Sequence, residues 1–212
     1  MAVVTILVDD PDSWVMPYMK NLISLIPSQF NATIVHKHND VASGEILFII
    51  GCDKIVDKSI LKRNKHNLVI HESDLPEGKG WSPMSWQVLE GKNKITIVLF
   101  EATEEVDSGP IYLKENILLN GTELYDEIKE NQGKKTICLI LKFLKGYPNI
   151  QSIPQTNKPG TYYKKRSPKD DQLDINKTIK DSFNLLRIVN NEKYPAWFEH
   201  NGEKYILKIY KK

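Results

Sequence analysis

The sequence has few cysteines, little net charge and no long apolar run. Its two cysteines, Cys52 and Cys138, lie in apolar surroundings without metal-ligand spacing, which predicts buried thiols and no bound metal. The net charge of +2 does not indicate a large basic surface for nucleic acid or anionic lipid. The apolar run at residues 3–8 is far below the roughly 20 residues that span a bilayer, and no signal-peptide pattern surrounds it. We therefore expect a cytoplasmic protein without membrane or nucleic-acid partners.

Strands and helices are predicted to alternate along the first two thirds of the chain. Apolar runs predict strands at 3–8, 33–36, 45–50, 67–70, 94–100 and 111–117. Helical spacing predicts helices at 14–26, 83–89 and 122–144, with a helical turn at 55–61 and an interruption of the last helix around residues 131–133. This order favours an α/β fold with a Rossmann-like, mostly parallel sheet and flanking helices.

The composition changes after residue 145, where prolines and polar residues become frequent. A short helix is predicted at 175–188, capped by Asp174 or Asn176, followed by a hairpin of strands 196–199 and 204–209. We therefore expect a main catalytic domain at 1–145 and a C-terminal extension at 146–212. The hairpin either supplies a contact in a homodimer or packs onto its own domain.

A histidine stands where a predicted apolar strand runs into a turn. His71 begins the stretch His-Glu-Ser-Asp-Leu-Pro, at the carboxyl end of a strand, where open α/β sheets bind their ligands. Imidazole can accept a proton at neutral pH, and Asp107 in a later turn could orient the ring or take the proton itself. Taken singly, His71 could be a hydrogen-bonded histidine at a strand end and Asp107 a turn-forming aspartate.

Considered together, these stretches resemble the formyltransferase domain shared by methionyl-tRNA formyltransferase, glycinamide ribonucleotide transformylase and the nucleotide-sugar N-formyltransferases. The family pattern is Asn-x-His-x-Ser-x-Leu-Pro, a glycine-rich turn leading to a proline-headed helix, and then Asp-x-Gly-x-Ile. The resemblance covers roughly residues 1–145 and implies that His71 and Asp107 are catalytic, that N10-formyltetrahydrofolate is the co-substrate, and that no metal is needed. The matching residues are His71, Ser73, Leu75, Pro76, Gly80, Pro83, Asp107, Gly109 and Ile111.

One position departs from the family pattern. The catalytic asparagine of the family lies two residues before the histidine, where this chain has Val69. Asn67 points the same way as His71 in a strand but lies about 7 Å further back, at roughly 3.3 Å per residue. Either another donor, such as a backbone N–H, holds the oxyanion of the reaction, or a locally different strand path brings Asn67 closer.

The remaining sequence indicates which branch of the family this chain resembles. The stretch Gly160-Thr-Tyr-Tyr163 and the later Asn184-Leu-Leu-Arg187 look like the tail of sugar formyltransferases. The 52 residues from 161 to 212 are too few for the barrel domain of the tRNA enzyme. The turn at 9–12 has no glycine and carries three aspartates, which disfavours the phosphate of glycinamide ribonucleotide.

The resemblance therefore implies a UDP- or dTDP-linked amino sugar as acceptor, for bacterial surface or flagellin glycan biosynthesis. The histidine stretch resembles the branch that acts on UDP-4-amino-4,6-dideoxy-L-AltNAc in the pseudaminic acid pathway. Formylation of a dTDP-linked 4-amino or 3-amino sugar is the sister alternative. A formyltetrahydrofolate hydrolase is a rival function, and so is a binding module that has lost catalysis, the latter because of Val69.

The resemblance also implies binding residues. The pteridine is expected against backbone of the turn at 49–55 and the loop at 102–107. Lys79 and Trp81, on the turn after His71, are expected to flank the amino sugar. Base stacking and phosphate contacts are expected from aromatic and basic residues of the tail. Their structural alternatives are a loop plug for Trp81, a solvated basic linker for the tail and a salt bridge for Arg187. The cofactor residues are Ile50, Gly51, Cys52, Asp53 and Thr103, and the substrate residues are Lys79, Trp81, Tyr162, Lys165, Arg166 and Arg187.

Overall fold

The computed structural model describes all residues, 1–212, as an α/β fold. In chain order the elements are β1 (Ala2–Leu7), α1 (Met16–Leu25), β2 (Phe30–Val35), β3 (Gly44–Ile49), α2 (Lys58–Leu61), β4 (Asn64–His71), β5 (Lys79–Gly80), α3 (Pro83–Leu89), β6 (Lys94–Glu101), β7 (Ile111–Leu118), α4 (Tyr125–Gly146), β8 (Tyr162–Tyr163), α5 (Ile179–Ile188), β9 (Ala196–His200) and β10 (Glu203–Leu207). No helix has the length and apolar character needed to cross a membrane.

A six-stranded sheet forms the centre of the molecule, in the order β2-β1-β3-β4-β6-β7. The first four of these strands are parallel, and β6 and β7 form antiparallel pairs, β4 with β6 and β6 with β7. Both faces of β1 and β3 are buried, which explains their continuous apolar sequences. The predicted fold class is confirmed: a mostly parallel sheet with flanking helices, followed by a helix and a hairpin.

Helix α4 is continuous where the sequence predicts an interruption. Gly133 lies in its middle, and a Cβ at this glycine would stand 2.5 Å from the ring of Tyr18 on α1. The glycine therefore allows α1 and α4 to approach each other closely, and it does not break the helix. The helical hydrogen bonds and the buried stripe of α4 outweigh the weak helix propensity of a single glycine.

Helix α5 begins later than predicted, after Thr178. The Thr178 hydroxyl accepts a hydrogen bond from the Asp181 amide at 3.1 Å, and the Asp181 carboxylate accepts bonds from Thr178 in return. This reciprocal capping stabilises a helix start at residue 179, so Asp174 and Asn176 are not the caps.

The C-terminal extension is paired with the loop that follows His71. Strand β8 runs parallel to β5, with Lys79 opposite Tyr162 and Gly80 opposite Tyr163. Gly80 has a φ of +93°, and a Cβ there would lie 2.4 Å from the Tyr163 carbonyl oxygen. Only glycine fits this turn, because a side chain would push the two strands apart. The extension therefore helps to build the loop beside His71.

Candidate active site

A cavity of about 370 Å³ opens at the carboxyl ends of β3 and β4. Side chains alternate between the faces of a strand, so Val69 and His71 reach the cavity from one face of β4, and Ile70 and Glu72 from the other. Ile70 packs against the apolar core shared with α1 and α4. We call these two parts of the cavity the His71 side and the Glu72 side.

The structure brings His71 and Asp107 together on the His71 side. The imidazole is 6% exposed, and its Nε2 lies 4.0 Å from Asp107 Oδ2 and 2.7 Å from the Gly78 carbonyl oxygen. A carbonyl only accepts hydrogen bonds, so Nε2 carries a proton and the lone pair of the neutral ring is on Nδ1. The pair is therefore arranged for proton transfer through His71 with a carboxylate nearby.

Asp107 is fixed by contacts on both sides. Its Oδ2 accepts a hydrogen bond of 2.8 Å from the Gly80 amide, and its backbone has a φ of 53°, in the left-handed region. The side chain of Gln155 donates to the carbonyl oxygens of Asp107 and Gly109, at 3.0 and 2.9 Å. A Cβ at Gly109 would lie 1.7 Å from the Glu101 carbonyl oxygen, so this turn requires glycine. Gln155 lies in the extension, which thus also holds the backbone of the turn that carries Asp107.

Val69 lines the cavity, and Asn67 does not. Asn67 is 7% exposed and its amide donates to the Leu61 carbonyl oxygen at 2.9 Å, which ties it to the turn before β4. The pairing of β4 with β3 continues without a bulge, with Asn67 opposite Leu47 and Val69 opposite Ile49. No altered strand path brings Asn67 to the cavity, so no asparagine side chain lies beside His71 on this strand.

The five residues predicted to contact the cofactor all line the cavity: Ile50, Gly51, Cys52, Asp53 and Thr103. Cys52 is half-buried, and its thiol donates to the Leu7 carbonyl oxygen at 3.4 Å. Burial raises the pKa of this thiol to about 12, so it stays protonated at neutral pH. Its contribution is packing of the cavity wall, and nucleophilic chemistry is excluded for it.

Four of the predicted substrate residues lie in or beside the cavity. Trp81 and Tyr162 line it, and Tyr162 is 63% exposed at its mouth. Lys165 lies with its Nζ 3.2 Å from Asp53 Oδ2 and 4.5 Å from the centre of the Trp81 ring. The Nζ of Lys79 donates to the Ser108 hydroxyl at 2.5 Å, next to Asp107.

The structure corrects the prediction for two arginines. Arg166 lies outside the cavity, pairs with Asp171 and stacks on the Trp86 ring at 5.5 Å. Arg187 is 1% exposed and bonds to the Glu123 carboxylate and carbonyl oxygens at 3.2 and 3.1 Å. All three of its nitrogens have partners inside the protein. Both arginines have carboxylate partners within the protein, and neither lines the cavity.

Sequence reasoning missed three residues on the Glu72 side. The Gln132 amide donates to Glu72 Oε1 at 2.7 Å and accepts from Lys129 Nζ at 2.9 Å. The Lys129 ammonium also lies 4.3 Å from the centre of the Trp14 ring. Burial lowers the pKa of Lys129 to about 8, and the nearby Glu72 carboxylate partly opposes this shift. A signal was present, because Gln132 and Thr136 interrupt the otherwise apolar stripe that α4 buries.

A sequence model of the formyl transferase family matches residues 19–142. The chain is 30% identical to methionyl-tRNA formyltransferase from Rickettsia prowazekii over 167 residues, which are 78% of this chain and 54% of the relative. It spans about half the length of the curated methionyl-tRNA formyltransferases that it matches.

Solved structures share the fold over nearly the whole chain. A 4-N formyltransferase from Francisella tularensis superposes with a TM-score of 0.77 at 16% identity, covering 98% of this chain and 97% of that one. HypX from Aquifex aeolicus, solved in complex with tetrahydrofolic acid, superposes with a TM-score of 0.75 at 13% identity, covering 98% of this chain and 37% of that one. Because the family pattern extends over more than half of the sequence and its histidine and aspartate meet in one cavity, this chain belongs to the formyl transferase family.

Proposed function

We propose that the protein is an N-formyltransferase that moves a formyl group from N10-formyltetrahydrofolate to the amino group of a nucleotide-linked amino sugar. The observation that carries the proposal is the buried pair of His71 and Asp107, 4.0 Å apart in a cavity that Tyr162 of the extension helps to line. The family match supports the transfer, and the neighbour that binds tetrahydrofolic acid supports the folate. A sugar N-formyltransferase from Shewanella sp. is among the proteins with the same fold, and it supports a sugar acceptor.

In this reaction a neutral amine attacks the formyl carbon, and a C–N bond forms as the bond to the folate N10 breaks. The amine must lose one proton, and the departing N10 must gain one. Nδ1 of neutral His71 is the base that can receive the first and return the second. Protons therefore balance without exchange with solvent, and Asp107 stabilises the imidazolium that exists in between.

The same imidazolium can stabilise the oxyanion. With Val69 in place of an amide side chain, the wall at this position offers no hydrogen-bond donor. Once Nδ1 has accepted the proton, it becomes a charged donor, and such hydrogen bonds are stronger than neutral ones. In our proposal His71 therefore performs three tasks in sequence: it accepts the proton of the amine, donates a hydrogen bond to the oxyanion, and gives the proton to the departing N10.

The proposal also covers the identity of the acceptor and the residues that bind it. We propose that residues 1–145 are the catalytic domain, that the extension recognises the nucleotide, and that Tyr162 stacks on its base while Lys165 contacts its phosphates. The pteridine would lie between the 49–55 turn and the 102–107 loop, on the His71 side. UDP-4-amino-4,6-dideoxy-L-AltNAc, with a role in bacterial glycan biosynthesis, is the acceptor we place first, and a dTDP-linked amino sugar is the alternative.

Incubation with formyltetrahydrofolate and a panel of UDP- and dTDP-linked amino sugars tests the proposal. Consumption of the folate only when an amino sugar is present is the expected result. Consumption in water alone would instead identify a hydrolase, and binding without turnover would identify a non-catalytic module. Replacing His71 with alanine should lower kcat at least about 100-fold, whereas the same change at the exposed His200 should not. Thermal melts of both variants would establish that they are folded.

A further inference from the structure

Three polar side chains on the Glu72 side have no task in the proposed transfer. Glu72, Gln132 and Lys129 line the cavity as a hydrogen-bonded row, with Gln132 in the middle and only 5% exposed. The amide of Gln87 donates to the Glu72 carbonyl oxygen at 2.5 Å and so fixes the backbone at one end of the row. Polar groups in a cavity wall cost folding free energy unless their hydrogen bonds are satisfied, so any hydrogen-bonding capacity that this row leaves open toward the cavity indicates a ligand.

Both ends of the row have hydrogen-bonding capacity left. Glu72 uses Oε1 for Gln132, and its carboxylate has no cation within 4.0 Å. Lys129 uses one of its three donors for Gln132 and otherwise faces the rings of Trp14 and Tyr125, at 4.3 and 5.6 Å. The wall therefore offers a ligand one strong acceptor and at least one charged donor.

The charges on the row restrict the ligand group that fits. A phosphate would be repelled by Glu72, and an ammonium group would be repelled by Lys129, because both charges face the same small space. A neutral group that both donates and accepts hydrogen bonds satisfies both ends. On a sugar such a group is a hydroxyl or an acetamido substituent.

The position of the row relates this group to the reacting amine. Glu72 follows His71 directly, and their Cα atoms are about 3.8 Å apart across one peptide bond. Their side chains enter one cavity from opposite faces of β4. A ring that lies across this cavity with its amine at His71 therefore presents another of its substituents to Glu72.

We propose that Glu72, Gln132 and Lys129 form an acceptor-specificity subsite, which binds a hydroxyl or acetamido substituent close to the amine that is formylated. This inference rests on the proposed function, since it concerns the acceptor of that reaction. Gln132 is a positioning residue, because it holds Glu72 and Lys129 apart at a fixed spacing. The side chains of Glu72 and Lys129 make the contacts with the ligand.

Steady-state kinetics with two variants and matched acceptors test the subsite. We would compare Glu72→Gln and Lys129→Met with wild type, and use Lys134→Met, an exposed lysine on the same helix, as the control. Both site variants should raise KM for the acceptor at least 10-fold, with KM for formyltetrahydrofolate unchanged and kcat lowered less than 3-fold. A lysine that only stabilises the fold would not separate the two KM values.

Acceptors that carry an acetamido group, a hydroxyl group or hydrogen beside the amine complete the test. Wild type should prefer one of the first two over the deoxy compound at least 10-fold in kcat/KM, and both site variants should lose this preference. Unchanged preference in the variants would overturn the subsite while leaving the transferase intact. If wild type formylates none of them, the proposed function fails, and calorimetric binding of the same compounds to wild type and variants decides the subsite. Equal affinities, or no binding to wild type, would overturn it.

Discussion

Replacing Lys129 with methionine should stabilise the protein at neutral pH. The ammonium is half-buried and its only hydrogen bond to the protein is to the Gln132 side chain. Methionine has a similar length, no charge, and packs well against aromatic rings such as that of Trp14. A charge held for a ligand, and not for the fold, costs stability in the free protein, so removing it should be favourable.

The magnitude follows from the pKa of Lys129, which burial lowers from 10.5 to about 8. This difference corresponds to a cost of about 3 kcal/mol to the folded state at pH 7. Loss of the cation–π contact and of the bond to Gln132 would each return about 1 kcal/mol. The variant should therefore be more stable than wild type by about 1 kcal/mol at pH 7.

The stability difference between Lys129→Met and wild type should also depend on pH, and this dependence tests the lowered pKa directly. The folded pKa lies below the unfolded one, so the cost is complete below pH 8 and disappears as the pH rises from 8 towards 10.5. The stability of Lys129→Met relative to wild type should fall by about 2 kcal/mol between pH 7 and pH 9.5, so the variant changes from about 1 kcal/mol more stable to about 1 kcal/mol less stable. Urea unfolding of wild type, Lys129→Met and the control Lys134→Met across this range measures it. A constant difference from pH 7 to 9.5 would refute a depressed pKa at Lys129.

Two further substitutions and one labelling experiment test the structure around the site. Gly80→Ala should lower the free energy of unfolding by about 1–3 kcal/mol, because the new Cβ meets the Tyr163 carbonyl oxygen; unchanged urea midpoints and unchanged protease resistance of the extension would contradict this. Arg187→Met should cost about 3 kcal/mol in urea unfolding because it leaves Glu123 buried without its cation, yet leave acceptor KM unchanged, and a raised KM would restore a role in binding. Cys52 should resist iodoacetamide at pH 8 in the folded protein, and rapid modification seen by mass spectrometry would contradict its raised pKa.

The sequence predicts helices and strands well where the residues that begin and end an element lie next to it in the chain. Helix α3 is predicted at 83–89 and lies at Pro83–Leu89, since proline starts it and Gly91 follows its end. The prediction for α4 is wrong at Gly133, because close packing against Tyr18 depends on an element more than a hundred residues earlier in the chain. The pairing of β5 with β8 is likewise beyond reach, because two-residue strands have no periodicity.

The residues of the site also fall into two groups: those that a local motif predicts and those whose surroundings depend on tertiary packing. His71 and Asp107 can be found because a turn motif surrounds each of them, and their proximity is then an expectation that the geometry meets. The prediction for Arg187 is wrong because an arginine that binds phosphate and one that binds a buried carboxylate look alike in sequence. Lys129 is not predicted as a site residue, because lysines are common on long helices. Its position in the cavity wall results from the tertiary packing of α4 beside β4.

The pairing between the extension and the loop after His71 also sets the order in which the molecule can be completed. The Gly78 amide finds its partner, the Thr161 hydroxyl, 83 positions later in the sequence. A chain emerging from the ribosome can therefore form its six-stranded sheet and still have an unfinished turn beside the imidazole. The surroundings of His71 and Asp107 are complete only when residues 155–163 have been synthesised, although this segment contributes little to the core.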